Sequence, residues 1–324
     1  MRINRITLKT WSKLGMRGTI FAIGLPEIVK TNNNVRLLTA DISSISGMDR
    51  FIKNHPEKFI NVGIAEQNMV GVAAGLGMEG FCVFATTYAS FTVVRALEQT
   101  REHLSYLKSN VKLVGSYAGV VASRAGISHW ATEDLSFMRS LPNMIVVSPA
   151  DSLEAYKAAV ELSKIDSPAY IRLTGNLSCP MVHNDDINFE LGKAIKIKEG
   201  KKVAVLATGL MVNESKIAIT ELEDKYNISC SLYSFHTIKP IDKKELSKIF
   251  KNYELIVTVE EHTIFGGLGT AVAEYKASFN NSPKQIFIGF PDKFDIKFGS
   301  QEYIWNQMGI DYKSIINKIK NEYS

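Results

Sequence analysis

The chain has 324 residues, a net charge of +5, 45% hydrophobic and 22% charged residues. That length supports two hydrophobic cores, and the balance excludes a disordered or fibrous chain. Lysines alternate with acidic residues, without the clustered basic face of a nucleic-acid site, and nowhere do 18 apolar residues run together. Cys82, Cys179 and Cys230 are too scattered for a disulfide framework or a metal knuckle. The N-terminal segment has no apolar stretch of signal-peptide kind, so the expected compartment is the cytoplasm.

Taken in chain order, apolar runs predict strands at 35–40, 59–64, 81–86, 111–116, 144–148 and 169–173, with helical segments between them. This alternation specifies a mostly parallel sheet covered by helices. A polar stretch over 183–188 follows, and a second series begins at 202–207, 228–235, 254–260 and 285–290. The boundary is set near residue 188, giving two three-layer α/β domains, 1–188 and 189–324.

Side chains capable of chemistry follow the strands. Asp41 ends the first, Glu66 the second, Thr87 and Tyr88 the third and Tyr117 the fourth, with Asp151 just after the fifth. Open α/β sheets bind ligands at the carboxyl ends of their strands, so these residues share one candidate rim. Glu66 leads the group, because it stands where the run 59–64, expected to be a buried strand, gives way to a Gly/Ala-rich helix. A carboxylate there either complements the helix dipole or exchanges protons with a ligand. Asp151 reads as a helix N-cap with Glu154 at capping-box spacing. His129 lies in a loop of small residues before a helix expected to start near Thr132, and Tyr88, Phe91 and Arg95 could wall a planar heterocycle. Gly266-Gly267-Leu268-Gly269 invites a dinucleotide reading. It comes late after its strand, behind Glu260 and Glu261, whose charge would repel a pyrophosphate, so close helix packing explains these glycines better.

Together, Ile64-Ala65-Glu66-Gln67-Asn68, the Tyr88/Phe91/Arg95 segment, Gly126-Ile127-Ser128-His129, Pro142-Asn143-Met144 with Ser148-Pro149-Ala150-Asp151, and the segment 260–269 resemble the transketolase family. The likeness spans nearly the whole chain and is to the C-terminal half, or split C-terminal subunit, of such enzymes. It implies a mostly parallel pyrimidine-binding domain followed by a smaller, mixed-sheet C-terminal domain. It also implies a thiamine-diphosphate-dependent transferase that moves a two-carbon ketol unit from a ketose to an aldehyde. Glu66 and His129 would be catalytic, Glu66 against N1′ of the aminopyrimidine and His129 on donor-derived oxygens. Ile64, Tyr88, Phe91, Arg95 and Asp41 would form the cofactor pocket. The GDG motif with which relatives hold diphosphate and Mg2+ does not occur in the sequence. The resemblance therefore implies that an N-terminal diphosphate-binding subunit holds both, in a heterotetramer with the site at the interface.

Three departures bear on substrate. Ala125 stands where relatives usually carry Asp, Tyr117 where they carry a phosphate-contacting His, and Thr174-Gly175 where a second arginine is expected. Arg17 and Tyr117 remain as substrate candidates, Arg17 as an anion contact, and the expected consequence is altered sugar specificity, toward unphosphorylated or nucleotide-linked substrates. Two further readings stay open: a carboligase subunit like deoxyxylulose-phosphate synthase, and a non-catalytic assembly or regulatory subunit that keeps the fold.

Overall fold

The computed structural model describes residues 3–176, 178–294 and 298–323, so the outermost ends of the two expected domains lie outside the described residues. The strands are β1 (Val35–Thr39), β2 (Phe59–Asn61), β3 (Cys82–Tyr88), β4 (Val111–Ser116), β5 (Ile145–Val147), β6 (Ala169–Arg172), β7 (Ile195–Lys198), β8 (Val203–Ala207), β9 (Cys230–Ser234), β10 (Thr237–Lys239), β11 (Leu255–Thr263) and β12 (Lys284–Phe290). They form a seven-stranded sheet, ordered β10-β5-β6-β4-β3-β1-β2, and a five-stranded sheet, ordered β12-β11-β8-β9-β7. Pairing is parallel except for β10 with β5 and β7 with β9. Leu37 and Leu38, neighbours on β1, are both fully buried in separate core clusters, as expected of a sheet covered on both faces. Each cluster runs on into the second sheet, one through Val205 and Val257, the other through Leu206 and Ile256.

The structure departs from the sequence pattern in four places. The run expected as a buried strand over 59–64 forms only the short edge strand β2, half-buried, because Gly63 takes φ +75° and turns the chain away from the sheet. The strands β7 and β10 have no counterpart among the expected runs, being short and carrying lysines. The strand β10 lies beyond residue 188 yet completes the first sheet, so the second half of the chain contributes to the first layer. The helix expected near Thr132 begins at Asp134. The three cysteines are free and buried, and among the described residues no helix is long and apolar enough to cross a membrane.

Buried polar groups join the two sheets. Asp134 accepts from Arg172 Nε at 2.8 Å and from the Tyr170 hydroxyl at 2.6 Å, while Arg172 Nη2 donates to the carbonyls of Ala131 (3.0 Å) and Glu261 (2.9 Å). Glu261 Oε1 accepts from Val120 N–H at 2.9 Å and from Gln301 Nε2 at 3.0 Å. Glu260 accepts from the N–H groups of Leu268 (2.7 Å) and Gly269 (2.9 Å), taking the N-terminus of the helix Leu268–Lys276 for itself. That is the place a dinucleotide pyrophosphate would need. A Cβ at Gly267 would collide with the Glu260 carboxylate, and one at Gly119, where φ is +68°, with that of Glu261. Burial lowers the pKa of His262 to about 4, so its ring is neutral; Nδ1 donates to the Thr263 carbonyl at 2.7 Å.

Arg172→Met leaves the Asp134 carboxylate buried without its cation and should cost about 3–5 kcal/mol of unfolding free energy, read by denaturant titration. A pH dependence follows from Glu260 and Glu261, each raised from 4.5 to about 7, chiefly by burial. Between those values the folded chain holds protons that the unfolded chain has released. Their contribution to stability is full below about pH 4.5, falls as pH rises through 7, and then levels off. The Glu261→Gln variant should lose less stability than the unsubstituted protein between pH 5 and 7 in the same titration; parallel curves would refute this assignment.

Candidate active site

Glu66 begins the helix Glu66–Met78, and the loop before it is set by Asn61. Asn61 Oδ1 accepts from the N–H groups of Asp41 (3.1 Å) and Gly63 (3.0 Å), and its Nδ2 donates to Asp41 Oδ1 at 3.2 Å. Ile64 is thereby turned outward, 78% exposed, and Glu66 inward, 4% exposed. A carboxylate removed from water needs a donor. Arg95 supplies one, Nη1 donating to Glu66 Oε1 at 2.9 Å. The segment Phe91–Arg95 winds as a π-helical turn, and the Arg95 guanidinium lies 4.1 Å from the Phe91 ring centroid. Single π turns often mark functional positions.

The end of β3 carries Tyr88, around which the other aromatic candidates gather. Its ring stacks on Tyr117 at 4.8 Å, meets His129 edge-on at 5.3 Å and lies 5.7 Å from Phe91. His129 closes the group at 5.1 Å from Phe91, with Ser128 Oγ 3.0 Å from its Nδ1. These separations suit offset and edge-to-face aromatic contact. Glu66, Arg95, Phe91, Tyr88, Tyr117 and His129, distant in sequence, thus form one connected surface at the carboxyl ends of the strands.

The remaining candidates lie around or outside that surface. Asp41, at φ +60°, spends its carboxylate on Asn61 and so buttresses the loop that aims Glu66. Arg17 is 2% exposed, its guanidinium 3.5 Å from the Tyr117 ring centroid, with Nη1 donating to the Gly175 carbonyl at 3.2 Å. Burial lowers its pKa; burial raises that of Tyr117, partly opposed by Arg17. The Tyr117 hydroxyl donates to the Ile45 carbonyl at 3.0 Å. Asp151 belongs elsewhere: it is fully buried and caps the helix Ser152–Leu162 as its sequence context suggests, while Glu154 reaches back to Ala150 N–H. Thr87 is buried behind the rim.

From Tyr88 and Tyr117 a cleft of about 740 Å³ runs to the second sheet's helices, lined by Arg124, Asn213, Glu214, Ser300 and Glu302 among others. Sequence reasoning missed this far wall and missed Asn61. No motif flags residues drawn from the starts of two distant helices, although an Asn two residues before a turning glycine is a recognisable loop-fixing signal. The surface offers a buried acid held by arginine, flat aromatic walls and an imidazole, which suits a planar heterocycle with a polar edge. Among the described residues no group of three or more His, Cys, Asp or Glu could hold a metal ion.

Comparison with known proteins covers both halves of the chain. Residues 16–179 match the transketolase pyrimidine-binding domain and residues 192–315 the transketolase C-terminal domain. A 6-deoxy-6-sulfo-D-fructose transketolase subunit from Clostridium sp. is 36% identical over 90% of this chain and 89% of its own. An apulose-4-phosphate transketolase subunit from Phocaeicola vulgatus is 34% identical over 91% of this chain and 93% of its own. Among solved structures, a split-gene transketolase described as an inactive beta4 tetramer is 35% identical with a TM-score of 0.84, covering 95% of this chain and 97% of that one.

Proposed function

The chain belongs to the transketolase family, and on that footing we propose that it is the C-terminal subunit of a split transketolase, transferring a two-carbon ketol unit from a ketose to an aldehyde. The observation that carries the reading is the buried Glu66 carboxylate, paired with Arg95 beside the wall of Tyr88, Phe91 and His129.

The residues present suit thiamine diphosphate. Glu66 would hold the polar edge of the aminopyrimidine, with Arg95 keeping the carboxylate in place; Tyr88 and Phe91 would flank the ring, and Ile64 would add apolar surface at its margin. When bound, the cofactor supplies a nucleophilic carbon and an electron sink for breaking and remaking the bond beside a ketose carbonyl. Glu66 would hold or release the proton at the pyrimidine's polar edge, and His129 would hydrogen-bond the oxygens of the transferred unit. General acid–base help of this kind is worth roughly 10² to 10⁴ in rate. Tyr117 belongs to the substrate side with Arg17 behind its ring, and Asp41 acts through the Glu66 loop.

A separate subunit would carry the diphosphate and Mg2+, in a heterotetramer. Support comes from relatives that are themselves named as subunits and whose length this chain nearly matches. The named sugars of those two relatives, 6-deoxy-6-sulfo-D-fructose and apulose 4-phosphate, support specificity beyond ordinary pentose phosphates. We place the domain division near residue 188, between β6 and β7, and the protein in the cytoplasm, where its three buried thiols stay reduced.

In a complex reconstituted with the diphosphate-binding subunit, Glu66→Gln should lower kcat by roughly 10² to 10⁴ without altering assembly. Unchanged activity would instead favour a non-catalytic subunit. Calorimetric titration of thiamine diphosphate with Mg2+ should register binding by the complex, and an absence of heat with no change in thermal stability would end the cofactor argument.

A further inference from the structure

Two features of the cleft bear on its substrate. The first is the position of Arg17. Its guanidinium is covered by the Tyr117 ring at 3.5 Å, and that ring is held by its hydroxyl on the Ile45 carbonyl and by stacking against Tyr88. Tyr117 therefore forms the cleft wall and Arg17 lies behind it. A tyrosine face offsets part of the buried positive charge, and it does so without leaving that charge presented to the cleft.

The second feature is the charge and chemistry of the lining. Arg124 contributes one cation, whereas Glu214 and Glu302 contribute two carboxylates. A phosphate dianion entering would meet two carboxylates against one guanidinium, a lining that disfavours it. The lining also presents neutral hydroxyl and amide groups from both halves of the chain, Ser178 on one side and Asn213 and Ser300 on the other. Such groups pair with sugar hydroxyls as donors and acceptors. Gln301, in the same wall, donates to Glu261 and to the Thr174 carbonyl, which ties this surface to the buried network between the sheets. The cleft volume of about 740 Å³ leaves room for more than a three- or four-carbon fragment.

We infer, building on the transketolase reading, that this cleft takes the uncharged polyhydroxylated end of a sugar. In this arrangement Tyr117 seals Arg17 from the substrate, and Asn213 and Ser300 from the second domain read its distal hydroxyls. The chemistry transferred is unchanged; the proposal concerns which end of which sugar class is admitted.

The test uses the complex reconstituted with the diphosphate-binding subunit, L-erythrulose as an uncharged donor, and two matched acceptors, D-ribose and D-ribose 5-phosphate. We expect kcat/KM for D-ribose to exceed that for the phosphate ester by tenfold or more. Tyr117→Ala, which uncovers Arg17, should reduce that ratio at least tenfold, and Asn213→Ala should raise KM for D-ribose more than it lowers kcat. Independently of turnover, orthophosphate titrated calorimetrically should bind the Tyr117→Ala complex and not the unsubstituted one. A tenfold preference of the unsubstituted complex for the phosphate ester, abolished by Arg17→Met, would overturn the proposal whatever the variants do. An Asn213→Ala variant with unaltered KM for D-ribose would overturn the role of the second domain. Glycolaldehyde serves as a common small acceptor. Failure to transfer even to it would remove the transketolase reading itself, an outcome distinct from either of those.

Discussion

Arg172 holds the molecule together at the point where its two sheets meet. Its guanidinium is shared between the Asp134 carboxylate and the carbonyls of Ala131 and Glu261, all away from water. A cation buried this way is costly until every donor is answered, and once answered it leaves the surrounding backbone little freedom. The backbone it fixes is the segment between Tyr117 and Ala131, which carries Tyr117, Arg124 and His129. The same cluster reaches Glu261, and through it Val120 and Gln301. The near wall of the cleft and its far wall are thus set by one buried network.

A second, smaller hierarchy aims the acid. Asn61 bridges Asp41 and Gly63, the loop turns, and Glu66 is carried inward to meet Arg95. The two partners differ in environment. Glu66 is buried, whereas Arg95 is about half exposed and can leave without being stranded. Arg95 thus holds the acid from its solvent side, where a ligand that gave the carboxylate another donor could take its place. Much of the cost of burying Glu66 falls on the fold, and a planar heterocycle with a polar edge would take up the exposed side of that arrangement.

Much of this was legible in the sequence, and the reasons differ by residue. Asp41, Glu66, Tyr88 and Tyr117 could be placed on one rim because parallel strands put their carboxyl ends on the same edge. Asp151 could be read as a cap because its role is settled within four residues of chain. What stayed hidden depends on neighbours far along the sequence. The apolar run at β2 gives hydrophobicity, and nothing in it says that the strand is an edge and that Gly63 ends it. The strand β10 has three residues, too few for any periodicity, yet it completes a sheet built by the other half of the chain. The charge of Arg17 suggested an anion contact; its burial behind Tyr117 is a tertiary fact that no local pattern carries.

The exposed apolar residues give the proposed partner a physical place. Ile64, Met78, Val94, Tyr106 and Leu107 are all exposed, and they belong to the loop, helix and π-helical turns that carry or adjoin Glu66 and Arg95. Other exposed apolar side chains, Ile6 and Phe294 among them, lie scattered elsewhere and need no explanation, but these gather on the elements around one buried acid. Covering them with another chain would remove water from the aromatic wall at the same time, strengthening the Glu66–Arg95 interaction as the local dielectric falls. A stable contact of the obligate kind buries about 2,000 Å² or more in total. On that scale the surface that binds the partner and the surface that binds the cofactor become one, and assembly itself would complete the site.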